Sequence, residues 1–288
     1  MNYESTLTLR DGRTLAYTIH GDAQGKPVFL FHGNPGSRYT RHPDETIAVR
    51  LGAKIITADR PGYGLSDFKP KRKLLDMADD IAQLADALKI DRFALLGLSA
   101  GAPYVAATAY ALRDRVTVGA MVSGPAPFDR PGALQDVAND YRVAYGVAKW
   151  PTWALKSLMS AQMRSESLSP DKSWAQVVAR ASEYDQMILS HPPYAEQVRS
   201  WRTEAIRQGV RGWVQEAKLL VKKWGVPLHA IPAMIHLWYW QYDTLVPHQM
   251  GRYLEETLPN AMPHFMPKGG HFSFFEHWED ILQALVEG

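Results

Sequence analysis

Gly97-Leu98-Ser99-Ala100-Gly101 decides the reading of this chain. An apolar run, Arg92-Phe93-Ala94-Leu95-Leu96, precedes it and predicts a short buried strand. The alanine-rich stretch from Ala102 to Leu112 follows and predicts a helix. Gly-x-Ser-x-Gly therefore falls where a strand turns sharply into a helix, the context that makes this common pattern informative. A serine on such a turn is held in crowded backbone, and Gly97 and Gly101 remove side chains that would collide there. Its hydroxyl projects at a helix N-terminus, where unpaired N–H groups favour a developing anion. Pro103 suits the first turn, where the missing N–H costs no helical hydrogen bond.

Working outward, Leu7 and Leu9, then Asp11-Gly12, then Leu15, Tyr17 and Ile19 predict a hairpin. Val28 to Phe31 and Lys54 to Ala58 are continuous apolar runs, as expected of parallel strands covered on both faces. Residues 38–51 between them are long enough for a crossover helix. Leu74, Met77, Ala78, Ile81, Ala85 and Leu88 fall on one helical stripe, with Asp76, Asp79, Asp80 and Asp86 opposite. A further strand is expected at Val116 to Val122. Strands alternating with helices imply a parallel α/β sheet.

The texture changes after Ser123-Gly124-Pro125. Residues 125–230 lack buried-strand runs and read as helices broken by Pro151, Pro170 and Pro192-Pro193. Six of the nine tryptophans lie here, Trp150, Trp153, Trp174, Trp201, Trp213 and Trp224. Strand texture resumes at Ala233 to Trp240 and, more weakly, at Ala261 to Met266, before a closing helix over Ile281 to Val286. The expected organisation is a core of residues 1–124 and 231–288 carrying a helical insertion at 125–230.

The bulk numbers exclude several functions. The 288 residues include 32 basic and 30 acidic side chains, a net charge of +2, which gives no electrostatic case for nucleic acid or an anionic membrane. There is no cysteine, so disulfides, thiolate catalysis, iron–sulfur clusters and cysteine-bound zinc are excluded. The N-terminal residues lack the pattern of a signal peptide, and no run approaches the roughly 18 apolar residues of a membrane span. A soluble cytoplasmic protein acting on a small molecule, with neither cofactor nor metal, is the expectation.

A serine hydroxyl needs a base in contact, and the base needs an orienting acid. For a serine on such an elbow the partners follow in the order acid, then histidine. Asp243 lies in Gln241-Tyr242-Asp243-Thr244-Leu245-Val246-Pro247, just beyond a predicted strand and so on the elbow's edge of the sheet. Asp129, beyond the preceding strand, is its rival. His271 follows Gly269 and Gly270, two glycines that suggest backbone passing close to something. His264 falls within a predicted strand, His277 beside the last helix, and His32 reads as a maker of structural hydrogen bonds. The turn His32-Gly33-Asn34-Pro35-Gly36 follows the strand at 28–31. It can aim the backbone N–H of Asn34 at a reacting carbonyl, with the N–H of Ala100 as the second oxyanion donor.

Together, Phe31 to Ser37, Asp59 to Ser66, Gly97 to Gly101, Asp243 to Pro247 and Gly269-Gly270-His271 resemble the α/β-hydrolase superfamily, in order and across nearly the whole chain. The resemblance implies a mostly parallel eight-stranded α/β sheet flanked by helices, with residues 125–230 as a helical cap over the active site. It also separates chemistries. Haloalkane dehalogenases share a loop like that of Asn34, but they and the epoxide hydrolases use an aspartate nucleophile where this chain has Ser99. The dehalogenases' tryptophan after the nucleophile is here Ala100, and the elbow typical of proline iminopeptidases is absent. Ala102 and Gln241 stand where the family often has glycine. The implied activity is that of a serine hydrolase, and the aromatic insertion with Met159, Met163 and Met187 points to a small or medium, largely apolar ester or lactone as its substrate. A C–C bond hydrolase or cofactor-free perhydrolase would use the same triad, and a non-catalytic ligand receptor would use the same fold. The cap's tryptophans, with Met159, Met163 and Met187, either line the pocket or fill the cap's own core.

Overall fold

The structure, a computed structural model, describes residues 3–129, 133–135 and 137–288. It opens with an antiparallel pair, β1 (Tyr3–Thr8) and β2 (Thr14–Gly21), joined across Asp11 and Gly12. Gly12 takes a φ of +83°, the left-handed conformation that favours glycine. The chain continues through β3 (Lys26–Phe31), α1 (Thr46–Arg50), β4 (Ala53–Ala58) and α2 (Leu74–Ala87). Then follow β5 (Phe93–Leu98), α3 (Ala102–Ala111) and β6 (Val116–Val122). Six helices come next: α4 (Asn139–Val147), α5 (Thr152–Leu168), α6 (Pro170–Ala179), α7 (Glu183–Ser190), α8 (Pro192–Ala205) and α9 (Arg211–Leu220). The chain closes with β7 (Met234–Trp240), α10 (His248–Thr257), β8 (Ala261–Met266) and α11 (Trp278–Glu287).

The eight strands form one sheet in the order β1-β2-β4-β3-β5-β6-β7-β8. β2 is antiparallel to both its neighbours, and the six strands from β4 to β8 along the sheet are parallel. β5 lies inside the sheet and is buried at all six positions, as its unbroken apolar run requires. β8 is an edge strand, which accommodates Pro263. One face is covered by α2, α3 and α10, through residues such as Met77, Leu84, Val105 and Leu254. The other is covered by α1 and α11 and also by Ile188, Leu189, Val198 and Trp201 of α7 and α8. Helices α7 and α8 thus share their apolar contacts with the sheet.

One local expectation is revised, and one helix was not anticipated. Residues 38–51 hold only the five-residue α1, because Arg38 is drawn into a buried ion pair with Asp59 and Pro43 interrupts the run. Helix α10 buries only Met250, Gly251 and Leu254, and that narrow stripe is masked by His248, Gln249, Arg252, Glu255 and Glu256.

Candidate active site

Ser99 follows the last residue of β5 and begins a single 3-10 turn that runs into α3. Its φ is +51°, a left-handed conformation that costs a non-glycine residue on the order of 1–3 kcal/mol. The flanking glycines make the turn sterically possible. A Cβ on Gly97 would lie 2.6 Å from Val105 Cγ2, and one on Gly101 would collide with the Phe31 carbonyl. Ala102 has its own compensation, because its methyl group occupies the space that Gly124 leaves free. Ala100 lies in the first turn, where helix N–H groups have no intrahelical partner.

Asp243 and His271 lie in the loops after β7 and β8, at the same carboxyl edge of the sheet as Ser99. His271 Nδ1 and Asp243 Oδ2 are 2.8 Å apart, and both side chains are buried. Asp243 Oδ1 accepts the N–H groups of Leu245 and Val246, each at 2.9 Å. The loops that carry Asp243 and His271 are also joined through their backbones. Gln241 N–H donates to Met266 O at 3.0 Å and Tyr242 N–H to Gly269 O at 3.1 Å, so Gln241 serves without being glycine. Burial opposes charging of His271, but the neighbouring Asp243 carboxylate, and beyond it Asp185, outweigh that and raise its pKa above the ordinary histidine value. Among the described residues the Ser99 hydroxyl makes no hydrogen bond to His271; such contacts often tighten only when substrate binds.

The rivals lie elsewhere. Asp129 faces Lys223 across 3.9 Å at the surface. His264 stacks on Trp238 and bonds His236 at 2.9 Å, and His277 faces Asp280. His32 is fully buried, with Nδ1 against its neighbour's carbonyl, Gly33 O, at 2.9 Å and Nε2 accepting the Arg60 N–H at 3.2 Å. Burial and the Arg60 cation push its pKa well below the usual range, which keeps it neutral.

The Asn34 loop is shaped by Arg60. The guanidinium donates to the carbonyls of His32 and Gly33, the latter at 2.8 Å. In a trans peptide the C=O and N–H point in opposite directions, so fixing Gly33 O toward Arg60 turns the Asn34 N–H away from it. The position a Gly33 Cβ would take is 3.6 Å from Ser99 Cβ, which places this loop beside the elbow. Tyr63 donates its hydroxyl to Asn34 Oδ1 at 2.8 Å, which anchors this side chain. Arg60 is in turn held by Glu216 of α9, with Nε 3.5 Å from Oε2. Glu216 also pairs with Arg72 and accepts from the Tyr104 hydroxyl at 2.9 Å. Burial would raise the Glu216 pKa, but Arg60 and Arg72 prevail and lower it.

Sequence reasoning missed Arg60, Glu216 and Asp185. Asp185, on α7, accepts the N–H groups of His271 at 3.0 Å and Phe272 at 2.7 Å. The only advance sign of it was the Gly269-Gly270 pair. A Cβ on Gly270 would lie 2.5 Å from Asp185 Oδ2, and one on Gly269 would strike Trp240. Met159, Met163 and Trp213 pack with Leu155, Val210 and Val214 in a small core between α5 and α9. Trp201 and Trp224 belong to the larger cores, while Trp153 and Met187 are exposed. A cavity of about 640 Å³ opens beside Asp243 and is bordered by Ser182, Tyr184, Tyr242 and His248, but neither Ser99 nor His271 lines it. Among the described residues no cluster of three His, Asp or Glu side chains could hold a metal, and no helix is long and apolar enough to cross a membrane.

The family model of the alpha/beta hydrolase fold matches residues 26–277, and the chain belongs to that family. It is 33% identical to the uncharacterized hydrolase YcgS of Bacillus subtilis over 98 residues, 34% of this chain and 33% of that protein. It is 25% identical to the 2-hydroxy-6-oxo-6-phenylhexa-2,4-dienoate hydrolase of Burkholderia cepacia, covering 98% of this chain and 94% of the relative. The esterase EaEST from Exiguobacterium antarcticum superposes with a TM-score of 0.73 at 17% identity, over 99% of this chain and all of that one, a likeness of fold.

Proposed function

We propose that this hydrolase uses Ser99 as its nucleophile and cleaves a small or medium, largely apolar carboxylic ester or lactone through an acyl-enzyme. The observation that carries the reading is the 2.8 Å contact between His271 Nδ1 and Asp243 Oδ2, at the same sheet edge as the left-handed Ser99. Asp243 fixes the tautomer that leaves His271 Nε2 free to take the Ser99 proton. The alkoxide then attacks the carbonyl, and the N–H groups of Asn34 and Ala100 hold the oxyanion. Protonated His271 gives its proton to the leaving alcohol, and water activated by the same imidazole releases the acid. In this reading residues 125–230 are a cap on a core of 1–124 and 231–288. Met159, Met163 and Trp213 are engaged in the insert's own core.

The test is a panel of acyl esters of increasing chain length, with a fluorophosphonate probe and Ser99→Ala as control. The wild type should turn over esters and take the label, and the variant should do neither. Labelling that persists in Ser99→Ala removes the nucleophile assignment. Clean ligand binding without turnover of any ester would point to a receptor on this fold.

A further inference from the structure

Asp185 is a fully buried carboxylate outside the three groups assigned to the chemistry. It is the third residue of α7, whose N-cap is Ser182. An acid at that position commonly folds back onto the N-cap N–H of its own helix. Here it faces the base loop instead. Oδ2 accepts the N–H of His271 at 3.0 Å, and Oδ1 that of Phe272 at 2.7 Å. The Ser182 hydroxyl donates to Oδ2 at 2.7 Å while accepting the Asp185 N–H at 3.3 Å, which fixes the carboxylate from behind. The loop comes so near that a Cβ on Gly270 would lie 2.5 Å from both Asp185 Oδ2 and Ser182 Oγ. Burying a carboxylate is costly, and a helix is capped as well at the surface. What this burial achieves is a fixed backbone at His271.

We propose that Asp185 is a positioning residue for the base, so that the inserted helices, and not the core alone, set where the His271 imidazole stands relative to Asp243 and Ser99. The kinetic side of this rests on the serine-hydrolase reading. The charged groups facing His271 are Asp243, from the loop after β7, and Asp185, from α7, and both favour the imidazolium. Asp185→Asn keeps the shape but removes the charge, and it turns an amide NH₂ toward one of the two backbone N–H groups.

The experiment follows the His271 imidazole by NMR titration, alongside the pH profile of kcat/KM on the best ester, in wild type, Asp185→Asn and Ser182→Ala. With the fold retained by circular dichroism, Asp185→Asn should lower kcat by about 10²-fold with KM nearly unchanged. The His271 titration and the acid limb of the profile should both move to lower pH. Ser182→Ala should move them in the same direction and cost about two- to tenfold in kcat. A folded Asp185→Asn whose His271 titrates like wild type overturns the proposal. If that variant does not fold, Ser182→Ala decides on the same titration. A wild type that neither takes a fluorophosphonate nor turns over any ester would instead overturn the hydrolase reading, and the NMR comparison would still judge Asp185.

Discussion

Oδ2 of Asp243 stands 2.8 Å from Nδ1 of His271, while Oδ1 of the same carboxylate is held by two backbone N–H groups at 2.9 Å. The carboxylate is therefore fixed on both sides, and it fixes the ring in turn. Asp243→Asn keeps this shape but favours the wrong tautomer. The expected loss in kcat is about 10⁴-fold. Asp129→Asn, at a surface position facing Lys223, should leave kcat unchanged in the same assay. The reverse pattern would reassign the acid.

The raised pKa of His271 fixes the sign of two pH dependences. As the proposed base, His271 must be neutral to act, so kcat/KM should rise with pH through a value above the ordinary histidine pKa. Asp243→Asn should shift that limb downward. Stability runs the other way. The folded state holds this proton more tightly than the unfolded state, so its contribution is complete below the unfolded pKa and fades as pH rises through the folded one. The stability difference between wild type and Asp243→Asn in thermal melts should shrink as pH rises across this window.

Tyr63 packs edge-on against His32 and makes one neutral hydrogen bond to the proposed oxyanion loop, to Asn34 Oδ1, and only that bond is lost in phenylalanine. Tyr63→Phe should lower kcat about two- to tenfold with little change in KM. Arg60→Met, which frees the carbonyls of His32 and Gly33 together, should approach the loss of one oxyanion donor, about 10²–10³. Equal effects of the two variants would count against a backbone role for this loop.

Glu216 has no exposed surface and faces two guanidinium groups, Arg60 and Arg72. Glu216→Ala leaves those cations buried without their partner, and urea melts should show a loss of about 3–5 kcal/mol. Since the Glu216 pKa is lowered on folding, its contribution is present above the unfolded glutamate pKa and is lost only as pH falls through the folded value.

Gly101→Ala should cost about 1–3 kcal/mol or more, because the new methyl group meets the Phe31 carbonyl rather than a side chain that could turn aside. A thermal shift assay measures this directly. A melting temperature equal to wild type would mean that the elbow has more room than described.

What the sequence determined by itself lies within short stretches of chain. The apolar run before Gly97 reads as a buried strand, the glycines around Ser99 mark a tight turn, and Asp243 and His271 each stand one loop beyond a strand. Period, glycine placement and chain order suffice for such features, because they reflect local sterics and one-dimensional burial. The five-residue α1 and the masked stripe of α10 escaped, because in one a distant ion pair overrode propensity and in the other polar residues hid the period. The strand order, and with it the 28-residue separation closed between Asp243 and His271, was decided by tertiary structure. So were the partners of Asp185 and Glu216, which lie 86 and 144 residues away at His271 and Arg72. A carboxylate on a helix gives no sign in sequence of whether it will cap that helix, face water or hold another loop, because burial and charge pairing exist only once the chain has closed on itself.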